Sequence, residues 1–444
     1  MISFTIIVFA ISLCGCVIVE VNGSYCTGQP DPRGDKPNMY PIMAPSISHV
    51  ADWRAPNNMS QGGRLFTAKN ELGNTTFPIL HLYGDPYTMG YAHGVLLKTQ
   101  SIAMWNEFWD YLVKQAGSEA NVEAIIIPIQ EKSAPFISHD TMQELQGLAD
   151  ATQFNYTRIL WMHLYPETSG GHCSMFGAWG SATQKSYNGN LLQMRALDYI
   201  TRDFLSDNHA LLVYHPNEGM EFINVGFSGL ITMVTGLSSA PMALSQIGVS
   251  NPDNTFGPQR NGDGVPFIFL LRNLIQYENN LSSVKAALER TRRTLDLILG
   301  FGVPYTNNGT EKPFTGVQYA ADQLRFYDDS NMLPVNRSWH PRIKDVVYHG
   351  MDWLCPGWTK PLGEALKKYF GNITAQITVR EINSRVQTGN LHIAIYEFDG
   401  AFPTLYLSHS AGSNQVATGG PKYAYERPFL HINTTSLFST RLSE

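Results

Sequence analysis

Apolar residues recur at helical spacing over 102–113, 122–129 and 141–151, with polar positions between them, so the chain predicts helices there. From 173 onward the pattern changes. Alternating or β-rich runs occupy 175–187, 191–199, 210–214, 221–225 and 230–234, punctuated by turn signals at Asn188-Gly189 and Asn217-Glu218-Gly219. Helical spacing returns at 267–277 and 282–298, and a last β group falls at 377–382, 391–398 and 404–407. Residues 24–64 are rich in Pro, Gly, Asn and Asp and lack sustained periodicity, which predicts an irregular surface arm. In FPILHLYGDPYTMGYAHGVLL a short strand at 79–82 meets a turn, and Asp85 and Pro86 suit the cap and first turn of a helix. Gly90 and Gly94 share one face of that helix, where a second backbone can approach closely. The class is α+β, with a mostly helical N-terminal portion.

Composition narrows the partners. With 444 residues, 43% hydrophobic, 15% charged and a net charge of -6, the chain affords a large core and no basic field for nucleic acid. An apolar run from Ile2 to Val19, followed by Val21 and Gly23, predicts a signal peptide over 1–23, the alternative being an uncleaved anchor. Sequons at Asn58, Asn74, Asn155, Asn280, Asn308, Asn336, Asn372 and Asn433 fit a glycosylating lumen, so the expected location is secreted or lysosomal. His81 and His93 lack metal-ligand spacing, and no H-E-x-x-H or C-x-x-C occurs. No metal or cofactor is expected.

Loss of the signal removes Cys14 and Cys16 and leaves Cys26, Cys173 and Cys355. In an oxidising lumen three cysteines make one disulfide and one free thiol, and a retained thiol is a candidate nucleophile. Cys173 sits in GGHCSMFGAWG, where a helical half ends in Ser169-Gly170-Gly171-His172 and a β half begins with the cysteine. A self-cleaving precursor needs that arrangement. The thiol attacks the carbonyl before it, glycines tolerate the strained backbone, and hydrolysis exposes Cys173 as a new N-terminus. Its α-amine, with a pKa of about 7.7 to 8.0, can then exchange a proton with the thiol at about 8.5.

GGHCSMFGAWGSATQ followed by LLQMRALDY resembles the N-terminal nucleophile hydrolases of the acid ceramidase and aminopenicillanic-acid acyltransferase group, most of all their secreted acid ceramidase-like branch. GDPYTMGYAHGVLL is similar to the group's precursor signature. The resemblance implies an αββα four-layer sandwich, an α chain of 24–172 and a β chain of 173–444. It implies Cys173 as nucleophile, with Arg195 and Asp198 organising the amine and the substrate. An asparagine upstream of the chain-linking cysteine is the implied oxyanion donor; Asn331 matches that placement, with Asn307 and Asn308 competing. A Cys26–Cys355 bond would then tether the two chains.

The implied activity is hydrolysis or transfer of an acyl group from an N-acyl amide, lipid-like in character, through a Cys173 thioester. Lipid-like substrates would bring transient contact with a membrane surface. A phospholipase B-like esterase and an inactive lumenal acyl-lipid-binding protein are the alternatives. Spacing raises one difficulty: a two-residue hairpin at Asn188-Gly189 would face Arg195 with Ala182, leaving Cys173 about 20 Å further along the strand. Either a longer loop around 183–190 or a bulge near Gly177 and Gly180 must close that gap.

Overall fold

The computed structural model describes residues 36–72, 75–168, 171–199, 203–305, 311–413 and 420–442. The expected signal peptide and Cys26 therefore lie outside the described residues.

Three strands open the chain, β1 (Ser46–Ala55), β2 (Asn58–Asn70) and β3 (Thr75–Gly84). Five helices follow: α1 (Pro86–Leu96), α2 (Lys98–Ala116), α3 (Glu119–Ser133), α4 (His139–Thr152) and α5 (Tyr156–Leu164). Next come β4 (His172–Ala178), β5 (Leu192–Asp198), β6 (His209–Pro216), β7 (Phe222–Phe227), β8 (Thr235–Ser238) and β9 (Met242–Gly248). Helices α6 (Phe267–Tyr277) and α7 (Leu281–Arg290) precede β10 (Leu297–Gly302), β11 (Phe314–Tyr319), β12 (Leu324–Tyr327) and β13 (Val346–His349). Helix α8 (Pro356–Lys368) leads to β14 (His392–Glu397), β15 (Thr404–His409) and β16 (Leu430–Ile432).

Two sheets collect these strands. One has ten, in the order β1-β2-β3-β6-β7-β8-β9-β10-β11-β12, and the other six, in the order β13-β4-β5-β14-β15-β16. They pack face to face where β4 and β5 cross β9 and β10, with α1, α6 and α7 against the larger sheet and α8 against the smaller. Every residue of β4, β5, β9 and β14 is buried, as strands between two covered faces must be. The αββα architecture is as the resemblance implies.

Helix α1 begins as its sequence predicts: Asp85 accepts from the Thr88 N–H at 2.9 Å, and Pro86 occupies the first turn. It packs on α4 so closely that a Cβ at Gly90 would lie 2.0 Å from Glu144 O, and one at Gly147 2.1 Å from Tyr87 O. Only glycine fits at that crossing.

Four expectations are corrected. Part of the irregular arm is the β1–β2 hairpin, whose first strand is mostly exposed and so carries no strong apolar alternation. The N-terminal portion is therefore not simply helical, and β3 joins the larger sheet parallel to β6, with Ile79 opposite Leu211. Residues 230–234 form no strand; the Ile231 N–H instead donates to His163 Nε2 at 3.1 Å. The helix expected to reach 298 stops at Arg290, and the stretch 377–382 is a π-helical turn between short helical pieces, not a strand.

Candidate active site

Cys173 and Arg195 meet because β4 and β5 are antiparallel neighbours. Their register pairs Cys173 with Leu197 and Met175 with Arg195, without interruption through Gly177 and Gln193. No bulge is needed. Residues 179–191 form the longer loop, holding a 3-10 turn at Gly180–Ala182 and a helical turn at Gln184–Tyr187. Arg195 Nη2 lies 3.2 Å from Cys173 Sγ.

Arg195 is fully buried and held on three sides. Its Nε donates to Gln246 O at 3.2 Å, Nη1 to His392 Nε2 at 3.2 Å, and Nη2 sits 3.5 Å from Gln246 Oε1. Burial pushes the pKa of His392 well down, with the Arg195 charge as a second cause, so the ring is neutral and accepts from the guanidinium. Sequence reasoning missed Gln246 and His392, which lie on β9 and β14 and share no motif with Cys173.

Burial raises the pKa of the Cys173 thiol; the Arg195 charge and the backbone amides of Asp198 and Gly248 act the other way. The sulfur is therefore a thiol. The Cys173 N–H donates to Met351 O at 3.2 Å, and in the residue before it His172 Nδ1 is 3.5 Å from Asp352 Oδ2. Gly248 permits this crowding, since a Cβ there would lie 2.3 Å from Gly171 N.

Asp198 ends β5 in a cage of donors. It accepts from Gly389 N–H at 2.8 Å, Asn390 N–H at 3.0 Å and the Thr388 hydroxyl at 2.8 Å. Burial raises its pKa to about 6, opposed by those bonds. The Thr388 hydroxyl is also 2.5 Å from Ser174 Oγ, which accepts from Met351 N–H. Asp198 thus ties the turn before β14 to the residue after Cys173.

Asn331 is not brought to this site. It is exposed on the turn after β12, where its Oδ1 accepts from the Asp328 N–H at 2.8 Å. The asparagine that the resemblance implied as oxyanion donor instead closes a local turn with its short polar side chain. Asn307 and Asn308 lie outside the described residues. Asn224 and Asn261 line the cavity that contains Cys173, although Asn224 Nδ2 already donates to Thr232 O at 2.9 Å. Cys355 is disulfide-bonded and Cys173 is free; Cys26, the expected partner of Cys355, lies outside the described residues.

The cavity has a volume of about 450 Å³. Cys173 and Arg195 form one part of its wall, and Phe108, Ile129, Met162, Phe204, Phe227 and Leu230 give it a long apolar lining. Such a shape suits an acyl chain presented to the sulfur. No group of His, Cys, Asp and Glu suited to a metal ion occurs among the described residues, and none of their helices is long and apolar enough to cross a membrane.

No family model matches the sequence. Protein dcd1A of Dictyostelium discoideum is 28% identical over 473 aligned residues, covering 98% of this chain and 99% of that protein. A solved structure, the Caenorhabditis elegans N-acylethanolamine-hydrolyzing acid amidase ortholog, is similar over 59% of this chain and 100% of its own, at 11% identity and a TM-score of 0.37. Protein dcd1B of Dictyostelium discoideum is 30% identical over 407 residues, 85% of this chain and 77% of that protein. On that similarity, the chain belongs to the family of the dcd1 proteins.

Proposed function

We propose that the chain is a precursor that cuts itself before Cys173 and then works as a cysteine amidohydrolase on lipid-like N-acyl amides. One observation carries the reading: a free, buried thiol sits 3.2 Å from a buried guanidinium on the wall of an apolar cavity, one residue after a Gly-Gly-His segment. In the first step the Cys173 sulfur attacks the acyl carbon, and the C–N bond breaks as the S–C bond forms. The freed α-amine takes the thiol proton and passes it to the leaving amine. Water then attacks the thioester; its proton returns through the same amine to the sulfur, and the acid leaves.

Arg195 holds the sulfur by charge, while Asp198 fixes the turn that packs on Ser174. An amine acceptor in place of water would give acyl transfer through the same intermediate. Export into a secretory or lysosomal lumen belongs to this proposal: the sequon residues Asn58, Asn155, Asn280, Asn372 and Asn433 are all exposed.

Reducing gels of secreted protein should show two fragments, the larger beginning CSMF. Cys173→Ala should leave the chain whole and remove turnover of every amide tested. A panel of N-acyl amides and lysophospholipids separates amidase from esterase. An uncut wild-type chain with full activity would overturn the mechanism.

A further inference from the structure

The cavity is not apolar throughout. Glu167 and Asp296, 3% and 4% exposed, line it together with Gln259. Glu167 Oε1 accepts from the Phe267 N–H at 2.8 Å, and the Thr294 hydroxyl lies beside the carboxyl, while Oε2 closes no hydrogen bond. Asp296 Oδ2 accepts from Gln259 Nε2 at 3.1 Å, while its Oδ1 has none. Burial dominates the electrostatics of both acids, and no basic side chain figures at either.

Both acids belong to one wall. Thr294, whose hydroxyl lies against Glu167, is two residues before Asp296. Asp296 in turn directly precedes Leu297, the partner of Gly248 in the β9–β10 ladder, and the Gly248 amide faces the Cys173 sulfur. The acidic wall therefore adjoins the nucleophile. Buried carboxyl oxygens without donors are expensive to maintain, and a protein keeps them where something else supplies the donors.

Resting on the amidohydrolase reading, we infer that this wall is the subsite for the amine half of the substrate, and that this half carries a second, cationic nitrogen. An ammonium fits better than a hydroxyl because it supplies three donors and the positive charge that neither acid finds in the protein. The acyl chain then fills the apolar part, the scissile amide lies at Cys173, and the ammonium meets Glu167 and Asp296. The class is an N-acyl diamine or a relative with a cation a few bonds beyond the amide nitrogen.

Three dodecanoyl amides of matched length test this, made from ethylenediamine, ethanolamine and propylamine. Calorimetry on full-length Cys173→Ala reads the subsite without turnover. The ammonium amide should bind at least tenfold more tightly than the propyl amide, with the hydroxyl amide between them. Adding Glu167→Gln or Asp296→Asn should shrink that ratio severalfold; each is a separate variant, and the comparison in Cys173→Ala alone stands even if either fails to fold. Equal binding of the three amides, or a hydroxyl amide that matches the ammonium amide, overturns the inference even when wild-type protein cleaves all three. Preferential ammonium binding with no cleavage by wild type would leave the subsite standing and sink the amidohydrolase reading.

Discussion

Two buried carboxylates, Glu167 and Asp198, sit on either side of Cys173 in sequence, and they are treated in opposite ways. Asp198 accepts from two backbone amides and a hydroxyl. Glu167 has one backbone amide donor, the Thr294 hydroxyl beside it, and an Oε2 that closes no hydrogen bond. Burial is the first cause of a raised pKa in both, to about 6 and about 7 respectively. Desolvation alone therefore cannot distinguish a framework acid from a binding acid; the count of donors can. Asp198 is satisfied within the protein, whereas the proposed subsite gives Glu167 its partner in the substrate.

Replacing each acid by its amide breaks that comparison most directly. Asp198→Asn substitutes an NH2 for an oxygen that faces donors, so at least one charge-assisted bond is lost and a donor meets a donor. We expect a loss on the order of 4 kcal/mol in unfolding free energy, from bonds of about 1.5 to 3 kcal/mol each, and turnover lower by about a hundredfold or more. Urea midpoints and steady-state rates measure the two. A variant as stable and active as wild type would mean the cage is ornamental.

Glu167→Gln should behave differently and with a pH signature. Its pKa is raised from 4.5 to about 7, so its contribution is fully present below pH 4.5 and lost as pH rises through 7. Glutamine has no such slope. The variant should therefore gain on wild type by on the order of 3 kcal/mol between pH 4.5 and 8. Only the difference between the two profiles is diagnostic, because buried histidines act the other way. Burial lowers His81, His93 and His409 to about 3 and His163 and His340 to about 4, so their contribution is present above 6.5 and lost as pH falls. Parallel profiles for wild type and Glu167→Gln would show that the acid is solvated after all.

Between these two acids the chain passes Gly248 at Gly171, and that contact sharpens the comparison. A methyl at residue 248 would sit 2.3 Å from Gly171 N and 2.5 Å from its O, backbone atoms that cannot step aside cheaply. Gly248→Ala should cost about 1 to 3 kcal/mol and slow scission before Cys173 by about tenfold, since the carbonyl under attack moves with the segment. The ratio of cut to uncut chain on reducing gels, followed over time, reads it.

How much of this was legible in the sequence depends on how local each signal is. The Cys173–Arg195 pair was readable through the resemblance of the Cys173 and LLQMRALDY segments to a family pattern, while local spacing argued against contact. Its register was not, because Asn188-Gly189 imitates a two-residue hairpin turn. Both residues do take positive φ, 52° and 83°, but Asn188 closes the helical turn Gln184–Tyr187. The turn signal at Asn188-Gly189 is real, but it ends a helical turn within the longer loop and is not a two-residue hairpin. Residues 377–382 carry a strand-like mix of Ile, Thr and Val, yet Thr374 caps a helical start with its hydroxyl accepting from Ile377 N–H at 3.0 Å. Glu167 and Asp296 had no motif at all. Each is a lone acid in an apolar stretch, LYPET and LDLIL, and only the fold makes them neighbours.

Asn331 gives the smallest expected effect and the cleanest check on reasoning by resemblance. Its placement upstream of Cys355 is right for an oxyanion donor, but its oxygen caps a surface turn and its side chain faces solvent. Asn331→Ala should therefore change turnover by less than about twofold and stability by about 0.5 kcal/mol. Loss of an oxyanion donor costs about a hundredfold or more, so the two outcomes cannot be confused. A large loss would require the turn after β12 to move to the nucleophile. It would also require the Asp328 backbone N–H to give up its bond to Asn331 Oδ1.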